Sequence, residues 1–492
     1  MHRCLRITEI LRLIIEFLAH EDFITRYEAR SISSKDTARF ARTCKAFMDP
    51  ALDVLWRTQS SMSPLIMCLP SNLWEVELSG TTVSLLQQPS HEDWVGLKKY
   101  SHRIRAFDHC SMLPKLPMVS KSALDTIFSP SLFQELFPSL RTLNIEVLSG
   151  RPPLNPIQLL GPIRLPQLAC LSFVIPLCYI FSYSGFHFVP ACAPSLQALT
   201  IYAPCDSVLP EWWTPIPLVI DFRGFPYLRS LDLSFNLEVL PSSVCELIHL
   251  PYLRDLTITL PDDLDVDMHP STQPILPSLQ RLDIMVGSLN QCSSLLSVIA
   301  SSELGSIEIY HRSPATQSDI YALFRAVERI HERFPDFHTL AVQCPYPAIT
   351  DPSFDLSRSI LTPLFVCHRL RVLRFTSFGT LDIDDAFIPQ IARAWPDIEV
   401  LRLRGFQRNK AHVTLGGIRE LLRGCPLLLL LLMQIDARVL PEQEPETESL
   451  SLERFDISGS RIGDESAVER YLRTLAPRMD LLTQEAWLSL TS

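Results

Sequence analysis

Glycine is scarce in this 492-residue chain, 15 against 39 prolines, the reverse of the usual ranking. The glycine-bearing motifs that carry chemistry are missing with it. There is no G-x-x-x-x-G-K-[ST] or G-x-G-x-x-G to cradle phosphates, no G-x-S-x-G elbow to present a nucleophile, and no H-E-x-x-H to hold zinc. His331-Glu332 starts as a zinc helix does but lacks the second histidine, and Asp384-Asp385 reads as a solvated helix start ahead of a metal pair. These absences lead us to expect a non-catalytic chain with no cofactor and no metal site.

Basic runs are also missing. The net charge is −10, and no stretch of Lys and Arg stands out, which excludes a general nucleic-acid binder and a membrane-surface patch. The 13 cysteines are odd in number and contain no C-x-x-C pair, so reduced thiols in the cytoplasm or nucleus are expected. Long unbroken apolar runs are lacking too. Arg12 and Glu16 interrupt Leu11 to Ala19, and residues 165–205, which hold no Asp, Glu, Lys or Arg, are divided by Pro166, Pro176, Pro190 and Pro194. With 47% hydrophobic and 20% charged residues the chain nevertheless has ample material for a core.

What the chain does have is a recurring phrase: a helix-ending Pro or Cys, then Leu-x-x-Leu-x-Leu. It is clearest at Leu140-Arg-Thr-Leu143-Asn-Ile145, Leu228-Arg-Ser-Leu231-Asp-Leu233 and Leu279-Gln-Arg-Leu282-Asp-Ile284. The first apolar positions are Leu140, Leu168, Leu196, Leu228, Leu253, Leu279, Leu304, Phe337, Leu370, Ile398, Leu428 and Leu452, eleven steps of about 28 residues. The last two leucines of each phrase alternate with polar residues, as in a strand with one buried face. Between phrases lie helical patterns. Leu323, Ala326, Val327, Ile330 and Phe334 recur at helical spacing from Tyr321 to Phe334, and Ile418, Leu421 and Leu422 do so on a shorter scale, with Pro335 and Pro426 as stops. The expectation is an α/β leucine-rich-repeat solenoid, a horseshoe of about 12 irregular repeats over 136–462. The Asn or Cys that usually follows such a strand occurs only as Asn236. A helix from about Asp464, with Val468, Tyr471, Leu472 and Leu475 at helical spacing, would close it within 463–492.

Residues 2–60 differ in pattern, and 61–135 read as a helical linker and cap. Ile7, Ile10, Leu11, Ile14, Phe17 and Leu18 form one apolar stripe, Phe40, Ala41, Cys44 and Phe47 mark a second helix, and Asp49-Pro50 marks the start of a third with Leu52, Leu55 and Trp56. This run of three helices resembles an F-box. Together with the degenerate repeats it resembles the fungal F-box/leucine-rich-repeat proteins. Two departures are evident: Ile7-Thr8 stands where the family has Leu-Pro, and the insert after the first helix is longer. The resemblance implies an all-α module that binds a Skp1-type adaptor, and through it a cullin scaffold, while the repeats choose a protein substrate for ubiquitin transfer. The positions matching the family's adaptor contacts are Ile7, Ile10, Leu11, Ile14, Leu18, Leu55 and Trp56. Without the resemblance, the same helices read as a cap on a plain protein-interaction scaffold.

Residues interleaved with the strand leucines are expected on the concave face. They are Glu146, Asp232, Asp255, Asp283 and Glu308 in the earlier and middle repeats, then Arg374, Arg402 and Arg404, followed by apolar Leu430 and Leu432. This predicts a face acidic first and basic later. Arg374 and Arg402 occupy equivalent positions, suited to a carboxylate or phosphate, unless Asp382 and Glu399 pair with them.

Overall fold

Two apolar residues separated by one position turn to the same side of a strand, so each phrase sets which side of its strand is buried. The computed structural model describes residues 10–11, 13–15, 36–77, 80–107, 117–146, 160–175, 186, 188–204, 215–262, 274–312, 315–334, 336–343, 356–378, 380–405, 412–442 and 449–482. In it every one of the twelve phrases leads into a strand, beginning two residues after the first apolar position. Those twelve first positions are all buried, none above 1% exposure. The chain forms two compact units, Met1–Val208 with Val219–Leu228, and Leu209–Leu218 with Arg229–Ser492.

The first unit contains a parallel ladder of β1 (Thr58–Gln59), β2 (Ala106–Phe107), β3 (Thr142–Glu146), β4 (Cys170–Val174) and β5 (Ala198–Tyr202). The ladder therefore starts well before the first phrase. The stretch expected to be a helical linker holds β2 and a small sheet of Trp74–Val76, Thr82–Leu85 and Met118–Val119. Residues 36–41 are helical, Cys44 is the N-cap of the next helix, and α1 (Lys45–Arg57) runs through Pro50. The expected start at Asp49-Pro50 is thus corrected. Proline gives up one helical hydrogen bond, but Pro50 and Ala51 are both buried in α1, so packing holds the helix through the gap. α2 (His91–Ser101) begins with a Ser90–Asp93 capping box.

In the second unit ten strands pair in parallel and in chain order: β6 (Ser230–Leu233), β7 (Asp255–Thr259), β8 (Arg281–Val286), β9 (Ser306–His311), β10 (Thr339–Gln343), β11 (Val372–Phe378), β12 (Val400–Gly405), β13 (Leu430–Met433), β14 (Arg454–Asp456) and β15 (Asp480–Leu482). The connecting segments include α3 (Leu289–Val298), α4 (Gln317–His331), α5 (Leu415–Gly424) and α6 (Glu465–Leu475). They cover the leucine side. On α4, Leu323, Phe324, Val327 and Ile330 are buried, and the Phe324 ring meets Phe375 of β11 edge-on at 5.3 Å. Each such buried side chain contributes roughly 1.5–3 kcal/mol. Helix α4 starts four residues earlier than its apolar spacing implied, because Thr316 caps it, and Phe334 lies in the turn beyond it; Pro335 lies outside the described residues. Helix α6 does not end the stack as expected, since β15 follows it and pairs with β14. Both units are α/β repeat stacks of the leucine-rich type.

Candidate functional site

With the leucines turned toward the helices, the alternate residues turn the other way, and the register aligns them in rows across the second unit. The middle row runs Asp232, Thr257, Asp283, Glu308, Ala341, Arg374, Arg402, Leu432 and Asp456. Asp255 belongs to the row before it, where the Arg281 guanidinium lies 3.9 Å away. Arg404 belongs to the row after, paired in register with Thr376. Glu146 ends β3 in the other unit, and its side chain lies outside the described ones.

At the centre of the middle row an acid and a base pair, although Arg374 Nε is buried without a hydrogen-bond partner among the described residues. Arg374 Nη1 donates to Glu308 Oε1 at 3.2 Å, reaching past the small side chain of Ala341 on the strand between. The Tyr310 hydroxyl donates to Glu308 Oε2 at 3.2 Å, and the Tyr310 ring packs on Phe235 with centroids 4.8 Å apart. Burial, then the Glu308 charge, pushes the Tyr310 hydroxyl up to about 12. The flanking charges are less well served. Burial, then Glu308, raises the Asp283 carboxyl to about 6, and burial also raises Asp232. Burial, then Arg374 and Arg454, holds Arg402 below the ordinary arginine value.

Sequence reasoning placed Asp382 or Glu399 beside these arginines, but Glu399 pairs with Arg371 at 3.5 Å and Arg374 turns to Glu308. It also missed Asp456, which makes the row acidic again after the arginines. The same spacing points to it, four residues after Leu452. Asp456 is 5% exposed, accepts from the Ser458 N–H at 2.8 Å and faces Arg404 Nη1 at 3.7 Å. Leu432, expected on the open side, is 9% exposed between Arg402 and Asp456, while Leu430 is half-buried in the first row.

At the N-terminus, Ile7 and Leu18 lie outside the described residues. Leu11 is 2% exposed, and Ile15 packs with Ala41 and Ala51, against Phe40 and Val54. Trp56 is 8% exposed, its ring 4.9 Å from Tyr100 on α2, and Leu55 is half-buried. Leu11 and Trp56 are thus buried within this chain. Ile10 is half-buried, Ile14 is 37% exposed, and Leu13, which the stripe omitted, is 65% exposed. Three successive apolar residues, Leu13-Ile14-Ile15, cannot all face one core. Arg103 ties α1 down from beyond α2, pairing with Asp53 and, at 2.6 Å, with Asp49.

Asp384 accepts from the Phe387 N–H and from Arg358, while Asp385 accepts from the Thr414 N–H and hydroxyl, so both carboxylates are committed to loop structure. Among the described residues, no group of three His, Cys, Asp or Glu is placed to hold a metal ion, and no helix is long and apolar enough to cross a membrane.

No protein-family model matches the chain, and no curated protein matches it. Among solved structures it is similar to a chain of TLR13 in a TLR13–ssRNA13 complex, at 15% identity and a TM-score of 0.41, covering 82% of this chain and 54% of that one. This chain thus spans about half the length of that one. A superposition of that quality bears on neither partners nor ligands; the repeat fold rests on the strand register described above.

Proposed function

We propose that this chain is a partner-recognition protein that performs no chemistry itself, and that it is the substrate receptor of a Skp1–cullin–F-box ubiquitin ligase. In this reading the N-terminal helices bind a Skp1-type adaptor and the open face of the repeat ladder binds the substrate. Transfer is then promoted by proximity, which raises the effective concentration of substrate lysines near the partner's thioester. The observation that carries the reading is the exposed apolar edge of Leu13 and Ile14 on a helix whose other side, Leu11 and Ile15, is buried. That edge falls within the residues that resemble an F-box. A second reading, a repeat scaffold whose N-terminal helices are only a cap, is favoured by the ties from Arg103 to α1 and from Trp56 to Tyr100.

One experiment separates them. The full-length chain and a Leu13→Asp/Ile14→Asp variant are mixed with a purified Skp1-type adaptor. The parent is expected to capture it and the variant to bind at least about tenfold more weakly, since two apolar contacts are lost from the interface. Both substituted positions are exposed, so the melting temperature should hold. No capture by the parent, or equal capture by both, leaves the cap reading standing.

A further inference from the structure

Asp283 on β8 and Arg402 on β12 lie in the same row, four strand steps apart. Between them Glu308 and Arg374 neutralise each other at 3.2 Å. The outer two have no such relief. Asp283 Oδ1 and Arg402 Nε are both buried, and neither has a hydrogen-bond partner among the described residues. A buried polar atom left unpaired costs about 1–3 kcal/mol, and more when it is charged.

The neighbouring charges are engaged elsewhere. The two acids whose charge acts on Arg402 are Asp456, held by Arg404 and the Ser458 N–H, and Glu308, held by Arg374 and Tyr310. Arg281, the base whose charge acts on Asp283, stands 3.9 Å from Asp255. Asp283 and Arg402, opposite in sign and without an ion-pair partner among the described residues, thus stand one on each side of the Glu308–Arg374 pair, on the side of the ladder away from its helices.

We propose that this row docks an extended segment of a partner protein, with a basic side chain over Asp283 and an acidic side chain over Arg402. Strands about 4.8 Å apart put the two ends roughly 19 Å from each other, and an extended chain rising about 3.3 Å per residue covers that in about six residues. The segment therefore has a Lys or Arg and an Asp or Glu separated by about five residues. A single carboxylate suits Arg402, because its row neighbours are apolar Leu432 on one side and, on the other, Arg374, which already pairs with Glu308. The inference rests on reading the open face of the ladder as the partner surface.

The test uses the full chain and fluorescent synthetic peptides carrying one Lys and one Glu, joined by Gly/Ser spacers of about one to nine residues. Affinity read by anisotropy is expected to peak near a five-residue spacer, and Lys–Lys or Glu–Glu peptides to bind at least about tenfold more weakly, because like charges face one end of the row. Asp283→Asn and Arg402→Gln should each weaken binding about fivefold or more, and Arg402→Lys should restore most of it. Arg402→Glu should switch the preference to the Lys–Lys peptide. Circular dichroism and melting show that each variant folds. Affinity flat with spacer length, an Arg402→Glu variant with unchanged preference, no binding by any peptide, or tighter binding when phosphoserine replaces Glu would each overturn the proposal. Adaptor capture by the same protein keeps the two ideas apart. Capture without peptide binding defeats the docking row alone, and peptide binding without capture defeats the ligase reading alone.

Discussion

Asp283 is a carboxylate whose surroundings favour its neutral form. Its folded value of about 6 stands against an ordinary 3.8, through burial first and the Glu308 charge second. Between those values the folded chain holds a proton that the unfolded chain has released, so this group's contribution is full at low pH and is lost as pH rises through about 6. Asp283→Asn removes the titration. At pH 7 the variant is expected to be more stable than the parent by about 1 kcal/mol, less than the full shift implies because the side chain is only half-buried. Near pH 4 the two should be alike. Urea titrations at both pH values check this, and an equal gain at each would show that the effect is not protonation. The residue type was legible in the sequence, and its place between leucines said which way it points. That it has no ion-pair partner among the described residues was not, because this depends on Arg281 and Arg374 choosing other acids across the strands.

At the scale of single elements, local signals and packing share control. Helix α4 is set by its cap: the Thr316 hydroxyl accepts from the Asp319 N–H at 3.4 Å, and the Asp319 carboxylate accepts from the Thr316 N–H at 3.0 Å. Thr316→Ala is expected to cost about 1 kcal/mol, measured by chemical denaturation, and no loss would mean that packing of the buried face alone places the helix start. That Thr-x-x-Asp pattern stands in the sequence, although the apolar spacing drew attention only to residues from Tyr321. Helix α1 behaves in the opposite way. Asp49-Pro50 is a strong local start signal, yet α1 begins at Lys45, with the Phe47 ring of its first turn stacked on Phe40 at 4.6 Å and Pro50 and Ala51 buried beyond it. Packing overrides a start signal when its gain exceeds the one hydrogen bond that proline removes.

In the molecule as a whole, each repeat of the second unit meets mainly its neighbours, so damage should stay local. Leu373 on β11 is fully buried. Leu373→Ala is expected to lower stability by about 2–5 kcal/mol, and hydrogen exchange should quicken most in β10, β11 and β12 and least in β6. Uniform quickening across β6 to β15 would argue that the unit unfolds in one step. The twelve phrases, their strands and the burial of their leucines follow from the sequence, because a period-two apolar pattern allows only one side of a strand to be buried. The outward residues follow from the same rule. The sequence did not reveal β1, β2 and β15, which are too short or too irregular to repeat the phrase. Nor did it reveal which charges pair. Parallel register brings Glu308 within reach of Arg374 across an alanine and leaves Asp283 and Arg402 without an ion pair among the described residues, and side chains 66 residues apart in the chain acquire their distance only when the strands between them stack. Local periodicity therefore determined the face, and only the tertiary structure decided its electrostatics.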